Sequence, residues 1–307
     1  MNTDNNFPEP KRIDIKEWSL KGEGLFGNVY ESDKHPGVIL KLNKNTDKEG
    51  PWEEYDKSGR ILALGVKTPR VYDFVTDGQH FGYTAQKIVG KKSFSRLVAD
   101  NPKETDHYAR LYSQEAIAFH NTPCDTSAFP SMHKEMADAI AGSKLLSDKV
   151  KQDALAILAD IPDTCTCLHG DFTTGNLITD GKECYWIDLG WFSYGNPLFD
   201  LTQFYFYQKY LPTLFLKKVI HLSHRQIKAF SISLCKHYFQ LHEPEERKSL
   251  EPLVRKVMYI RVLKMIIEKN NRIAALVLIP IAQKEGVFKP TSRLTLLYRA
   301  IRGKPLI

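Results

Sequence analysis

His169-Gly170-Asp171-Phe172-Thr173-Thr174-Gly175-Asn176-Leu177-Ile178, followed by Tyr185-Trp186-Ile187-Asp188-Leu189-Gly190, decides how the rest of the chain is read. Apolar strand residues flank a loop that exposes a carboxylate at Asp171 and, five residues on, a carboxamide at Asn176. A second carboxylate, Asp188, ends the next short strand. Phosphoryl transfer needs these types of group: a carboxylate to accept a hydroxyl proton, and oxygen ligands to hold Mg²⁺ on phosphates.

Upstream, Lys21-Gly22-Glu23-Gly24-Leu25-Phe26-Gly27-Asn28-Val29-Tyr30 carries Gly22, Gly24 and Gly27 with Val29 two positions further on. A backbone that must press close to a triphosphate leaves no room for a Cβ, so this spacing suits a phosphate-covering loop between strands. The spacing is shared with dinucleotide-binding turns, but Asn28 to Ser32 is strand-like rather than helical, and no βαβ unit follows. Lys41 then sits in an otherwise apolar strand, Val38-Ile39-Leu40-Lys41-Leu42. A lysine so placed needs an anionic ligand, a carboxylate, or both. The helix that follows offers Glu53 and Glu54. Glu54 shares a face with Ser58, Ile61 and Leu62 and is the expected partner, with Glu53 the close alternative.

The catalytic-loop segment resembles that of the aminoglycoside phosphotransferase and choline kinase group, within the protein-kinase-like superfamily. That group's pattern is His-Gly-Asp, four residues, then Asn. Ile187-Asp188-Leu189-Gly190 is similar to the group's metal-binding aspartate segment, and Asn196-Pro197-Leu198-Phe199-Asp200-Leu201 to the segment that braces the loop. The resemblance covers about Glu17 to Tyr207. It implies an ATP-dependent kinase with Asp171 as the base and Asn176 and Asp188 as magnesium ligands. Lys41 would contact the α- and β-phosphates and pair with Glu54, and the backbone from Gln86 to Ile88 would read the adenine. His169 would orient the loop and Asp200 would brace it. Thr173 departs from the His or Lys usual two positions after the base, which bears on γ-phosphate contact.

Coarse patterning agrees with an α+β, two-lobed architecture. Short strands (18–21, 28–32, 38–42, 70–75 and 81–88) and one helix (51–64) fill residues 1–89, a small antiparallel nucleotide-binding lobe. Residues 90–307 read as a larger, mainly helical lobe, with helices expected over 104–120, 212–221, 224–241, 244–270 and 273–283, and one or two over 132–159. A strand-rich patch, 166–189, interrupts them. Clefts between such lobes are where small ligands bind.

Composition narrows the function class. Five scattered cysteines oppose a disulfide framework, and Cys165, Cys167 and His169 read as alternating positions on a buried strand rather than a zinc site. With no apolar run long enough to span a bilayer and a polar Met1 to Arg12, a cytoplasmic protein is expected. Net charge is +7, much of it in the last helices: Arg255, Lys256, Arg261, Lys264, Lys269, Arg272, Arg293, Arg299, Arg302 and Lys304. Such charge suits a solvated helix face, and leaves open a phosphorylated substrate or peripheral contact with an anionic surface. No reader motif accompanies it, so nucleic acid is not an expected partner. Only eleven residues separate Asp188 from Asp200, short for the platform on which a protein kinase docks its substrate. The expected acceptor is therefore a hydroxyl on a small molecule: a sugar, amino alcohol, aminoglycoside-like compound or glycolipid head group. An aromatic cage for a quaternary amine could be built from Trp191, Phe192, Tyr194, Phe204, Tyr205, Phe206 and Tyr207, which read more readily as core. A nucleotide-binding module without catalysis is the alternative, opposed by the presence of Lys41, Asp171, Asn176 and Asp188 together.

Overall fold

Alternation in Val38-Ile39-Leu40-Lys41-Leu42 resolves as a strand near the middle of a sheet, with Leu40 and Leu42 buried on one face and Lys41 on the other. The structure is a computed structural model that describes residues 8–23 and 27–287. These divide into two units: the chain to Phe94 together with Gly175–Gly190, and Ser95–Thr174 together with the chain from Trp191. A single cut between residues 89 and 90 misses this. The loop's second half, which includes Asn176 and Asp188, groups with the first unit because its strands pair with residues 92 and 93.

The first unit contains β1 (Lys11–Arg12), β2 (Ser19–Glu23), β3 (Gly27–Glu31), β4 (Val38–Asn43), α1 (Glu49–Ala63), β5 (Val71–Thr76) and β6 (Phe81–Gln86). They form a six-stranded sheet in the order β1-β5-β6-β4-β3-β2, antiparallel except for the β1–β5 pair. The buried face packs Trp18, Leu40, Leu42 and Val75. On the opposite side α1 lays Trp52 and Tyr55 against Phe74 of β5. A smaller sheet adds β7 (Lys92–Ser93), β9 (Leu177–Thr179) and β10 (Cys184–Trp186).

The second unit is largely helical: α2 (Phe94–Asp100), α3 (Thr105–His120), α4 (Met132–Gly142), α5 (Asp148–Ala159), α6 (Leu198–Tyr210), α7 (Thr213–Val219), α8 (His224–Tyr238), α9 (Pro244–Glu268) and α10 (Arg272–Lys284). Between α5 and α6, β8 (Cys167–Leu168) pairs with β11 (Ser193–Tyr194) and anchors the start of the loop that runs from His169 to Asn176. The core joins α4, α5, α9 and α10 with Phe199. Among the described residues, no helix is long and apolar enough to cross a membrane.

Several expectations need correction. The stretch 132–159, open between one helix and two, holds two, because Ser143 to Ser147 leaves the helical conformation. Helix α6 was not foreseen, since its apolar residues surround the whole circumference and give no amphipathic period. Helix α2 and the two-residue strands β1, β7 and β11 are too short to show a pattern. Strand β6 ends at Gln86 rather than residue 88. Gly24 lies outside the described residues, as do Arg293, Arg299, Arg302 and Lys304.

Candidate active site

In the first unit, strand register gathers residues far apart in sequence. Gly22 pairs with Val29, Val29 with Lys41, and Lys41 with Tyr83, so the four lie in one row across β2, β3, β4 and β6. Directly opposed residues on neighbouring strands point to the same face. Lys41 therefore shares a face with Val29 and Tyr83, and its Nζ lies 5.8 Å from the Tyr83 ring centroid. Gly27 is forced by packing as well: a Cβ there would come within 2.9 Å of the Leu42 carbonyl oxygen.

Helix α1 completes this group. Lys41 Nζ donates to Glu54 Oε1, and the Tyr83 hydroxyl donates to the same oxygen at 3.0 Å. Glu54, not Glu53, is thus the lysine's partner. Tyr83 is buried and its phenol is pushed well above the ordinary tyrosine range, first by burial, then by Glu54, with Asp188 adding a smaller push. It stays a neutral donor. Nothing in the sequence around Tyr83 marks it; strand register alone places it opposite Lys41.

The β9–β10 hairpin presents the other two polar groups. Leu177 pairs with Trp186, and one step outward Ile187 N–H donates to the Asn176 carbonyl at 2.9 Å. Asn176 and Asp188 thereby emerge from the same end of the hairpin. Asp188 has φ of 60°, a left-handed conformation that costs energy outside glycine and turns the chain sharply there. Two bonds tie this hairpin to the α1 region: Trp186 N–H to the Lys67 carbonyl at 2.8 Å, and Lys57 Nζ to the Gly190 carbonyl at 2.8 Å. At the edge of β6, the Gln86 and Lys87 amides donate to the carbonyls of Arg70 and Gly37.

In the second unit the structure centres on Asp171. Its Oδ1 accepts from Gln203 Nε2 at 2.7 Å, while its N–H donates to His169 Nδ1 at 3.2 Å. The Gln203 carboxamide spans the loop, because its Oε1 also accepts from Phe172 N–H at 3.0 Å. Gln203 Nε2 contacts the Tyr207 hydroxyl as well, so both amide hydrogens are used. Tyr207 is raised above its ordinary value by burial and then by the Asp171 charge, which keeps it protonated.

Beneath Asp171, Asp200 holds the loop's backbone. Fully buried, it accepts from His169 N–H at 2.7 Å and Gly170 N–H at 3.0 Å, and meets His120 Nε2 at 3.2 Å. Burial alone would raise its carboxyl, but the His120 hydrogen bond and charge, with Arg261, outweigh burial and lower it. Arg261 also donates to the carbonyls of Gly170 and Phe199. It was grouped with surface charge in the sequence, yet it is a loop-bracing residue. Lys264, from the same run, is 7% exposed and pairs with Glu135 and Glu268. Gly170 has φ of +80°, and a Cβ there would overlap the Trp191 carbonyl oxygen at 2.1 Å, so the glycine between His169 and Asp171 admits no replacement.

Two readings change. Cys165 is exposed, so it does not share a buried strand with Cys167 and His169; among the described residues no cluster of three or more His, Cys, Asp or Glu could hold a metal ion. Of the aromatic set, Phe192 and Phe204 are core, whereas Trp191 is 63% exposed.

Fold and site define a phosphotransferase of the kinase type. Comparison with known proteins agrees: residues 33–223 match the model of the phosphotransferase enzyme family, and the chain belongs to that family. A choline/ethanolamine kinase family protein from Mesorhizobium loti aligns over 97% of this chain and 94% of its own at 15% identity, with a TM-score of 0.50. A thermostable mutant of aminoglycoside phosphotransferase APH(4)-Ia, in ternary complex with ADP and hygromycin B, aligns over 88% and 90% at 15% identity, with a TM-score of 0.52. No curated protein sequence matches the chain significantly.

Proposed function

We propose that the protein transfers the γ-phosphoryl group of ATP to a hydroxyl of a small molecule, with Asp171 as the general base. The observation that carries this reading is the Gln203 clamp. A carboxylate held by a side-chain amide, on a loop whose backbone is fastened to a buried aspartate, has the preorganisation a positioned base requires. Asp171 would orient the acceptor hydroxyl and take its proton as the oxygen attacks phosphorus, leaving ADP. Such help is worth about 10²–10⁴-fold.

Lys41, steadied by Glu54, would contact the nucleotide phosphates, with Gly22, Gly24, Gly27 and Val29 shaping the cover over them. The adenine would be read by the Ile88 amide, since those of Gln86 and Lys87 already donate elsewhere. Asn176 and Asp188 would hold magnesium. One carboxylate and one carboxamide suit this ion, which keeps waters and phosphate oxygens in its shell and does not need an all-protein cage. When bound, the ion neutralises charge on the phosphates.

For the acceptor, the sugar class is the reading best supported. The neighbours of Asp171 are a neutral amide, a protonated tyrosine and a histidine, with the mutually compensating Asp200 and Arg261 beneath, a surrounding suited to uncharged hydroxyl compounds. The aminoglycoside of the APH(4)-Ia complex is a polycation and asks for acidic neighbours. The test is phosphate transfer from labelled ATP across pooled sugars, sugar phosphates, amino alcohols and aminoglycosides, with Asp171→Asn alongside. That variant should bind ATP normally and lose transfer to every acceptor. Turnover close to that of the unaltered protein would remove Asp171 from its role, and transfer to aminoglycosides alone would overturn the acceptor class.

A further inference from the structure

Helix α6 uses two faces differently. Gln203 and Tyr207 serve the Asp171 loop, whereas Leu201, Phe204, Tyr205 and Gln208 line a cavity of about 270 Å³ walled also by α8 and α9. Ile232, Leu234, Leu250 and Val254 make the far wall aliphatic. Leu201, Phe239, Leu250 and Val254 are shared with an adjoining apolar pocket of about 290 Å³ that is also lined by Leu198 and Leu253. Tyr205, Gln208, Lys228 and Glu251 are shared with a third pocket, a mouth of about 530 Å³ bordered by Lys209 and Arg225.

Charge is confined to that mouth and to Arg247 in the cavity wall. Lys209 is answered by Glu285. The local carboxylate, Glu251, is occupied by the Tyr205 hydroxyl at 3.3 Å and by Arg255 at 3.6 Å. Among the described residues, no carboxylate lies within salt-bridge distance of Arg225, Lys228 or the half-buried Arg247. A partly desolvated guanidinium without a counter-charge is costly, and an anion arriving there would relieve that cost. Adjoining pockets that are apolar on one side and bordered by unanswered cations on the other are complementary to one kind of molecule.

We propose that these adjoining pockets together bind a single alkyl chain of medium length ending in a carboxylate or phosphate. The chain lies among Leu201, Leu250 and Val254, and the head meets Arg247, Lys228 and Arg225. This is a site separate from the phosphate-transfer chemistry, and its occupancy is read without any kinase assay.

Calorimetric titration of the full chain with monomeric decanoate tests it, with octanoate, decyl phosphate and 1-decanol as companions. Saturable one-to-one binding is expected. Decanoate should bind about 15-fold more tightly than octanoate, from roughly four-fold per buried methylene. Decanol should bind about ten-fold or more weakly, lacking the charged head. The Lys228→Glu, Arg247→Glu double variant should lose that charge-dependent advantage and keep decanol binding, whereas Leu250→Trp, which fills the apolar pockets it lines, should weaken both. Circular dichroism melts check that the variants fold; Lys228→Gln and Ile232→Phe give the same comparison with smaller perturbation. Binding of decyl phosphate alone would support the site and identify the head as phosphate. Absence of saturable binding by every anionic probe, equal affinity for decanol and decanoate, or binding to anionic phospholipid vesicles without binding of the monomers would each overturn the proposal.

Discussion

Replacing Gln203 with leucine removes the amide that holds Asp171 while keeping a side chain of similar volume in a position only 9% exposed. Two hydrogen bonds to the loop are lost, to Asp171 Oδ1 at 2.7 Å and from Phe172 N–H at 3.0 Å, together with the one to the Tyr207 hydroxyl. A hydrogen bond to a charged group contributes about 1.5–3 kcal/mol, which at 1.4 kcal/mol per decade is roughly 10- to 150-fold in rate. Phe172 is itself fully buried against Tyr112 and Phe204, so the loop should keep its backbone path while the carboxylate loses its aim. The loss should therefore fall on kcat, with ATP affinity unchanged. It should also be smaller than the Asp171→Asn loss, because Gln203 acts only through that carboxylate. Gln203→Glu separates the two bonds: it keeps an acceptor for Phe172 N–H but sets a second carboxylate against Asp171, and should be the more damaging variant. The assay is ADP release with the acceptor found by screening, together with calorimetry of ATP binding and a melt for each variant. On an Asp171→Asn background, Gln203→Leu should add almost nothing. A full, multiplicative effect on that background, or an effect on ATP affinity alone, would refute the reasoning.

Asp200→Asn should destabilise the second unit by about 3–5 kcal/mol, since the buried partners His120 and Arg261 lose their counter-charge. Because the Asp200 carboxyl titrates below its ordinary value when folded, its contribution is complete above the ordinary aspartate range and lost as pH falls through the lower folded value. The gap in Tm between the two proteins should hold from neutral pH down to about pH 4 and close only below it; a gap that closes near pH 6 would assign the effect elsewhere. Asp188→Ala should leave metal-free ATP binding intact and remove most of the gain from added magnesium, a drop of about 10-fold or more. Equal magnesium dependence in both proteins, measured by calorimetry, would rule Asp188 out as a ligand.

The motif residues were legible because their chemistry imposes local patterns. A polar pair five apart between apolar strand residues, a lysine inside an apolar strand and a glycine-spaced turn are all visible within ten residues of chain. Glu54 could be selected over Glu53 because a helical period puts it on the same face as Ile61. Gln203, Tyr83 and Arg261 were not legible, since nothing in their own neighbourhoods marks them. Gln203 lies on a helix whose apolar residues give no period, and Arg261 sits in a run of basic residues that resembles a solvated face.

By itself, then, the sequence determined which polar groups stand in the loops and strands of the site and that strands precede helices, because side-chain type and short-range periodicity are local properties. Tertiary structure alone decided which groups hold the others in place. Strand register set Tyr83 opposite Lys41, the buried Asp200 drew the His169 and Gly170 amides and Arg261 together, and the second turn of α6 brought an amide to Asp171. Those partnerships span 30 to 90 residues of chain. They exist only once burial has made an unsatisfied polar group too costly to leave alone.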